Sequence, residues 1–185
     1  DIVPLVYLFF IPAVSMGLIA REHNLGTMEI ISTLPINNFE FVLGKFLAAL
    51  SLILLGLFAT SIHFLTLIFV GSNVDYGAIF SGYLGLALMG GTYAAIGTYS
   101  SSVTENQVVS FIIGVFIVLV LFMLDKTLVF IPNSIAGFIQ FLSVDYHLSN
   151  ISRGVIDSRN LIYFISMIGF FIFLTIQTLE VKRSK

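Results

Sequence analysis

Cysteine and tryptophan are absent from the 185-residue chain, and charged residues make up only 10% of it. Without cysteine the chain can form no disulfide, no thiolate metal site and no cysteine nucleophile. Typical soluble domains contain roughly 25% charged residues, so this chain has too few to cover the surface of a water-soluble fold. The net charge of -2 and the lack of a long basic run predict no nucleic-acid partner.

Sequence patterns for catalysis are also missing. The three histidines are widely separated, and no Ser-His-Asp set or pair of acidic residues lies in an apolar run. Gly44 and Lys45 resemble the end of a phosphate-binding loop, but Phe39 replaces its first glycine and Phe46 its Ser or Thr. We therefore expect no catalytic, cofactor-binding or metal site, and any energy source must lie outside this chain.

Hydrophobic residues form 58% of the sequence and collect in five charge-free runs. Each run is near the ~20 residues that cross a bilayer as a helix. The runs cover residues 2–20, 46–70, 79–99, 107–124 and 161–179. They predict a single all-α membrane domain with five spans. A soluble helical core would need polar helix faces, which these runs lack.

The distribution of lysine and arginine predicts the orientation. Five basic residues fall on the side of the C-terminus, which we expect to be cytoplasmic: Arg21, Lys45, Lys182, Arg183 and Lys185. The outer side carries Lys126, Arg153 and Arg159. The chain begins with Asp1 and has no basic leader, so the first run is not a signal peptide. We expect one further helix before Asp1, which would give six spans with both ends inside.

The cytoplasmic insert, residues 21–45, is predicted to contain two helical pieces. An amphipathic piece covers 27–34 and ends before Pro35. A second piece begins after Asn37 as its cap, with Glu40 at the third helical position, and continues into the second span. Two interpretations stay open: an interfacial helix that only anchors the chain, or a docking element that receives force from a cytoplasmic partner.

Two other features surround the third span. Ala87, Gly91 and Ala95 are four residues apart, and small residues at this spacing favour close helix packing in lipid. A dimer contact and a translocation path are the alternatives for this face. After the span, Thr104 is predicted to cap the next helix, with Gln107 at the third position.

The outer segment, residues 125–160, is too long for a turn and too apolar for a free loop. It is predicted to enter the outer leaflet and leave it again, with bends at Pro132 and Gly137. The charged stretch that follows predicts either local salt bridges or an outer substrate gate. The candidate gate residues are Asp145, His147, Arg153 and Asp157.

Residues 9–49 resemble a region of ABC-2 type transporter permeases. The shared pattern falls on Pro12, Arg21, Glu22, Gly26, Thr27, Glu29, Leu34, Pro35, Val42, Leu43, Gly44 and Lys45. Residues 101–113 and 143–166 resemble a narrower branch of these permeases, which is associated with gliding motility.

This resemblance implies the membrane subunit of an ATP-driven exporter in a bacterial plasma membrane. It implies a homo- or heterodimer of permeases, surrounded by lipid, with a separate ATP-binding cassette subunit docked on the insert. The implied docking residues are Arg21, Glu22, Gly26, Thr27, Glu29, Leu34 and Pro35. The alternative is an ATP-independent membrane scaffold or secondary carrier. It would be expected to show buried charges or paired broken helices, and the sequence indicates neither.

Overall fold

The computed structural model describes residues 2–33, 35–70, 75–130, 132–154 and 157–183. In these ranges the chain forms nine α-helices and one 3-10 turn, Leu128–Phe130. The helices are α1 Ile2–Ser15, α2 Ala20–Asn24, α3 Thr27–Thr33, α4 Asn38–Val70, α5 Tyr76–Val103, α6 Gln107–Thr127, α7 Asn133–Leu142, α8 Val144–Ser152 and α9 Ser158–Arg183.

Five helical stretches of the described chain are long and apolar enough to cross a membrane. They are Ile2–Asn24, which joins α1 and α2, followed by Asn38–Ile62, Tyr76–Val103, Gln107–Thr127 and Ser158–Lys182. The predicted number of spans is therefore confirmed. The first predicted run differs from the others because its helix is interrupted at residues 16–19.

Helix α5 lies at the centre of the bundle and packs against α1, α4, α6, α8 and α9. Its residues 89–98 are all buried. A Cβ on Gly90 would lie 2.8 Å from Ile53 Cγ2, and one on Gly91 would lie 3.1 Å from Ile168 Cδ1. Because glycine has no side chain, α4 and α9 can approach this closely. The interpretation of the small residues as a close packing face is confirmed at Gly91.

The insert contains one more helical piece than predicted. Helix α2 follows the interruption of the first span, α3 ends at Thr33, and Leu34 lies outside the described residues. The Asn37 N–H donates to Glu40 Oε2 at 3.0 Å, which is the predicted cap of α4. From there α4 continues without a break to Val70.

Two sequence predictions are wrong. Helix α6 is capped by Asn106, whose Oδ1 accepts from Val108 N at 2.8 Å, because α5 extends to Val103 and Thr104 lies in the connecting turn. Gly137 makes no bend, since α7 runs through it from Asn133 to Leu142. The apolar residues of this segment form one continuous helix, and the chain turns at Ser143.

The bundle has two ends, which we name for their contents. The insert end holds α2, α3, the start of α4 and the last turns of α5 and α9. The α8 end holds α7, α8 and the start of α9.

Candidate functional site

At the insert end, one carboxylate connects three helices. Glu22 on α2 accepts from Lys45 Nζ on α4 at 2.7 Å through Oε1. Its Oε2 accepts from Thr27 Oγ1, in the first turn of α3, and the Glu22 backbone carbonyl lies 3.2 Å from the same hydroxyl. The side chains of Lys45 and Glu22 are 27% and 24% exposed, so the pair adds at most about 1 kcal/mol to stability. Its main effect is to fix α3 against α4.

The turn between α2 and α3 depends on Gly26. Its φ of +69° lies in the left-handed region that side chains disfavour, and its N–H donates to His23 O at 3.1 Å. A residue with a Cβ would strain this turn, so Gly26 sets the angle between the two helices.

Most other residues predicted for docking lie on the surface of the insert. Arg21, Glu29 and Pro35 are exposed. Large apolar side chains beside them are exposed as well: Leu25, Ile30, Ile36 and Phe39. The insert therefore offers a mixed charged and apolar surface on a fixed scaffold.

The interruption of the first span is closed by a side chain from α5. Ser101 Oγ accepts from the N–H groups of Ile19 and Ala20, both at 2.9 Å, and donates to Met16 O at 2.8 Å. A helix start normally leaves such N–H groups without a partner. Ser101 satisfies them in a fully buried position and so joins α2 to the central helix.

The end of α9 is attached to the same region. Lys182 Nζ donates to Ser102 O at 2.8 Å and to Val103 O at 3.3 Å, where α5 ends. A cation at a helix C-terminus is favoured by the helix dipole and by the free carbonyls. Beside it, α2, α3, α4 and α9 enclose a cavity of about 300 Å³ whose lining includes Met28 and Phe41.

At the α8 end, His147 is a buried structural residue. Its Nε2 donates to Phe141 O at 2.9 Å, and its Nδ1 lies 2.7 Å from Asn160 Oδ1. Its ring stacks on Tyr163 with centroids 3.9 Å apart. His147 therefore connects α8 to α7 and α9, and its ring is covered by aromatic side chains.

The other residues predicted for the outer gate have separate roles. Asp145 accepts from Lys126 Nζ on α6 at 2.7 Å. Asp157 Oδ1 accepts from the Arg159 N–H at 2.9 Å, at the start of α9. Arg153 is exposed after α8. Within the described chain, no ion pair joins Arg153 or Arg159 to an acidic residue of this segment.

The sequence model for ABC-2 family transporter proteins matches residues 2–176, which is nearly the whole chain. The chain belongs to the ABC-2 family of transporter proteins. With five helices of spanning length, this membership supports a multi-pass membrane transport subunit rather than an enzyme. ABC-2 permeases generally work with an ATP-binding subunit. No curated protein matches this ABC-2 chain.

Sequence reasoning missed the Ser101 junction of this ABC-2 protein. The signal was the run Ser100, Ser101 and Ser102 at the end of a span. Successive residues on a helix point about 100° apart, so one of three neighbouring hydroxyls is expected to face another helix. Its backbone partners lie more than 80 positions away in sequence, which no local pattern shows.

Proposed function

We propose that this chain is the permease subunit of an ATP-driven ABC-2 exporter, with a separate ATP-binding cassette subunit docked on the insert. The insert and the C-terminus would face the cytoplasm of a bacterium. The observation that carries the proposal is the Glu22 carboxylate, which joins α2, α3 and α4. The basic residues near the C-terminus support the orientation.

The contacts of the insert give a route for force. A partner that pushes on α3 acts on Thr27 and hence on Glu22, which is held by Lys45. Lys45 lies on α4, a continuous helix, so the displacement reaches a span directly. A second route runs from α2 through Ser101 to α5, which contacts the other spans.

The family pattern extends the proposal to a dimer of permeases. The segments 101–113 and 143–166 support an association with gliding motility. The segment 125–160 is proposed to dip into the outer leaflet, with α7 and α8 as its two short helices. Its outer surface would then carry Asp145, Arg153 and Asp157, and the buried His147 would hold its two helices together.

A carrier driven by ions is less well supported. Such carriers use charged groups inside spans and pairs of broken helices. The sequence has no charged residue from 46 to 74, and in the described spans the interruption at 16–19 has no counterpart.

Co-expression with an ATP-binding subunit encoded beside this chain tests the proposal. We expect the two to co-purify, and we expect Glu22→Gln to weaken transport-coupled ATP hydrolysis by about two- to thirty-fold, which is 0.5–2 kcal/mol of coupling. Binding of the subunit should persist, because Glu22 is only 24% exposed and the exposed residues Arg21, Glu29 and Pro35 are unchanged. Glu105→Gln, an exposed acid near the insert end, is the matched control.

Two outcomes would overturn the proposal. One is the absence of any co-purifying ATP-binding subunit. The other is equal coupling in Glu22→Gln and Glu105→Gln, which would show that the link between α2, α3 and α4 carries no force.

A further inference from the structure

Two clefts meet at Arg153 on the α8 end. The first, about 780 Å³, lies between α1, α5, α6 and α8, and its floor is apolar, with Pro4, Leu86 and Phe122 among the lining residues. The second, about 430 Å³, lies between α7, α8 and the start of α9 and is lined mainly by polar and aromatic side chains. Arg153 lines both clefts, so the apolar cleft and the polar cleft adjoin each other at its side chain.

The side chains that line the two clefts carry a small excess of positive charge, with Lys126, Arg153 and Arg159 against Asp145 and Asp157. Lys126 pairs with Asp145 at 2.7 Å, and Asp157 Oδ1 accepts from a backbone N–H while the carboxylate keeps its charge. Among the described residues, the guanidinium groups of Arg153 and Arg159 have neither a hydrogen bond nor an ion pair. Arginine presents donors in a planar fork that matches a phosphate group.

The position of the clefts fits a ligand that is partly in the membrane. The apolar cleft is bordered by Val3 and Leu5, which are exposed on α1, a membrane-spanning helix. The polar cleft is lined instead by the short helices α7 and α8 and by residues at the start of α9. A ligand that fills both clefts must combine an apolar chain with an anionic head.

We propose that the paired clefts bind an anionic phospholipid, with an acyl chain in the first cleft and the phosphate headgroup on Arg153 and Arg159. Basic pockets between spanning helices are known to recognise anionic headgroups. The site does not use the insert, so it stands independently of coupling to an ATP-binding subunit.

The test uses the full-length protein in mixed micelles and counts retained lipids by native mass spectrometry. We expect phosphatidylglycerol to be retained over phosphatidylcholine with the same acyl chains. Arg153→Gln and Arg159→Gln should each weaken that preference about fivefold, since one basic residue near an anionic surface contributes ~1 kcal/mol. Arg21→Gln, which removes an exposed arginine at the insert end, should leave it unchanged.

A second variant separates the tail from the head. Gly82 lines the apolar cleft, and a Cβ there would meet nothing within 4 Å, so Gly82→Leu should fold and fill the cleft. We expect it to reduce retention of both lipids while every arginine remains.

Five results would overturn the proposal. The first four are equal retention of the two lipids, an unchanged preference in Arg153→Gln, full retention in Gly82→Leu, and competition by glycerol phosphate as strong as that by the lipid. The fourth would identify a site for a soluble anion. A stable dimer in which neither cleft takes up lipid would instead identify a second copy of the chain as the occupant, and would equally refute the lipid.

Discussion

Replacing Ser101 by alanine removes the side chain that hydrogen-bonds the backbone at the interruption of the first span. The hydroxyl accepts from Ile19 N and Ala20 N at 2.9 Å each and donates to Met16 O at 2.8 Å. Alanine keeps the Cβ and the helix propensity of α5, so packing is disturbed only by the lost oxygen. The variant therefore isolates the hydrogen bonds.

The expected loss follows from the backbone groups that remain unpaired. A buried donor without a partner costs about 1–3 kcal/mol, so two donors give ~2–6 kcal/mol before the chain relaxes. We expect a measured loss near 3 kcal/mol. For a chain of this size, 1 kcal/mol corresponds to ~2–4 °C, so the Tm should fall by about 6–12 °C.

Ser102→Ala is the matched control. Ser102 is also buried, but its hydroxyl donates to Tyr99 O at 2.7 Å within its own helix, so its loss should cost only about 1 kcal/mol. Thermal unfolding of the purified proteins in one detergent gives the comparison. Hydrogen exchange at the Ile19 and Ala20 amides should accelerate only in Ser101→Ala. The reasoning fails if both variants have the same Tm and the same exchange rates.

Three further substitutions test the packing of the bundle. Gly97→Ala should lower stability by about 1–3 kcal/mol or more, because the new Cβ would lie 1.7 Å from Ser15 Oγ and 2.6 Å from Ser15 Cβ. Gly82→Ala on the same helix should be neutral or stabilising by up to ~1 kcal/mol, since its Cβ would meet nothing within 4 Å, and equal unfolding temperatures would contradict the predicted contact. His147→Phe should preserve the aromatic contacts but leave Asn160 Oδ1 and a carbonyl of α7 without the imidazole, which lowers stability by about 2–4 kcal/mol in the same unfolding assay. An unchanged Tm in that variant would show that the imidazole nitrogens do not hold the three helices together.

The sequence predicted those features that depend on residues close together in the chain. Charge-free runs showed the number of spans, because burial in lipid requires about 20 apolar residues in succession. The cap formed by Asn37 and Glu40 was found for the same reason, since its partners are three positions apart. Pro35 was likewise predicted to end the helical piece before it, and α3 ends at Thr33.

Features that depend on distant contacts were not predictable. Residues 16–19 are apolar throughout, and hydropathy does not register whether an apolar run is one helix or an interrupted one. The helix at α7 continues through Gly137, although glycine is a poor helix former, because the apolar residues around it favour a continuous helix. His147 was predicted as an outer gate residue, and its burial was missed because its aromatic neighbours come from three separate helices, α7, α8 and α9.

The length of α4 has a mechanical consequence. Its 33 residues, at ~1.5 Å each, make a rod of about 50 Å, while the hydrocarbon core is about 30 Å thick. Tilt alone would have to reach about 53° to contain it, beyond the 0–40° that spanning helices show. Part of α4 must therefore extend beyond the hydrocarbon core. The end that extends into water is its start, which contains the polar residues Asn38, Glu40 and Lys45. If the proposed partner displaces this emerging end sideways, the continuous helix would tilt as one body, and its far end would move in the opposite direction across the membrane.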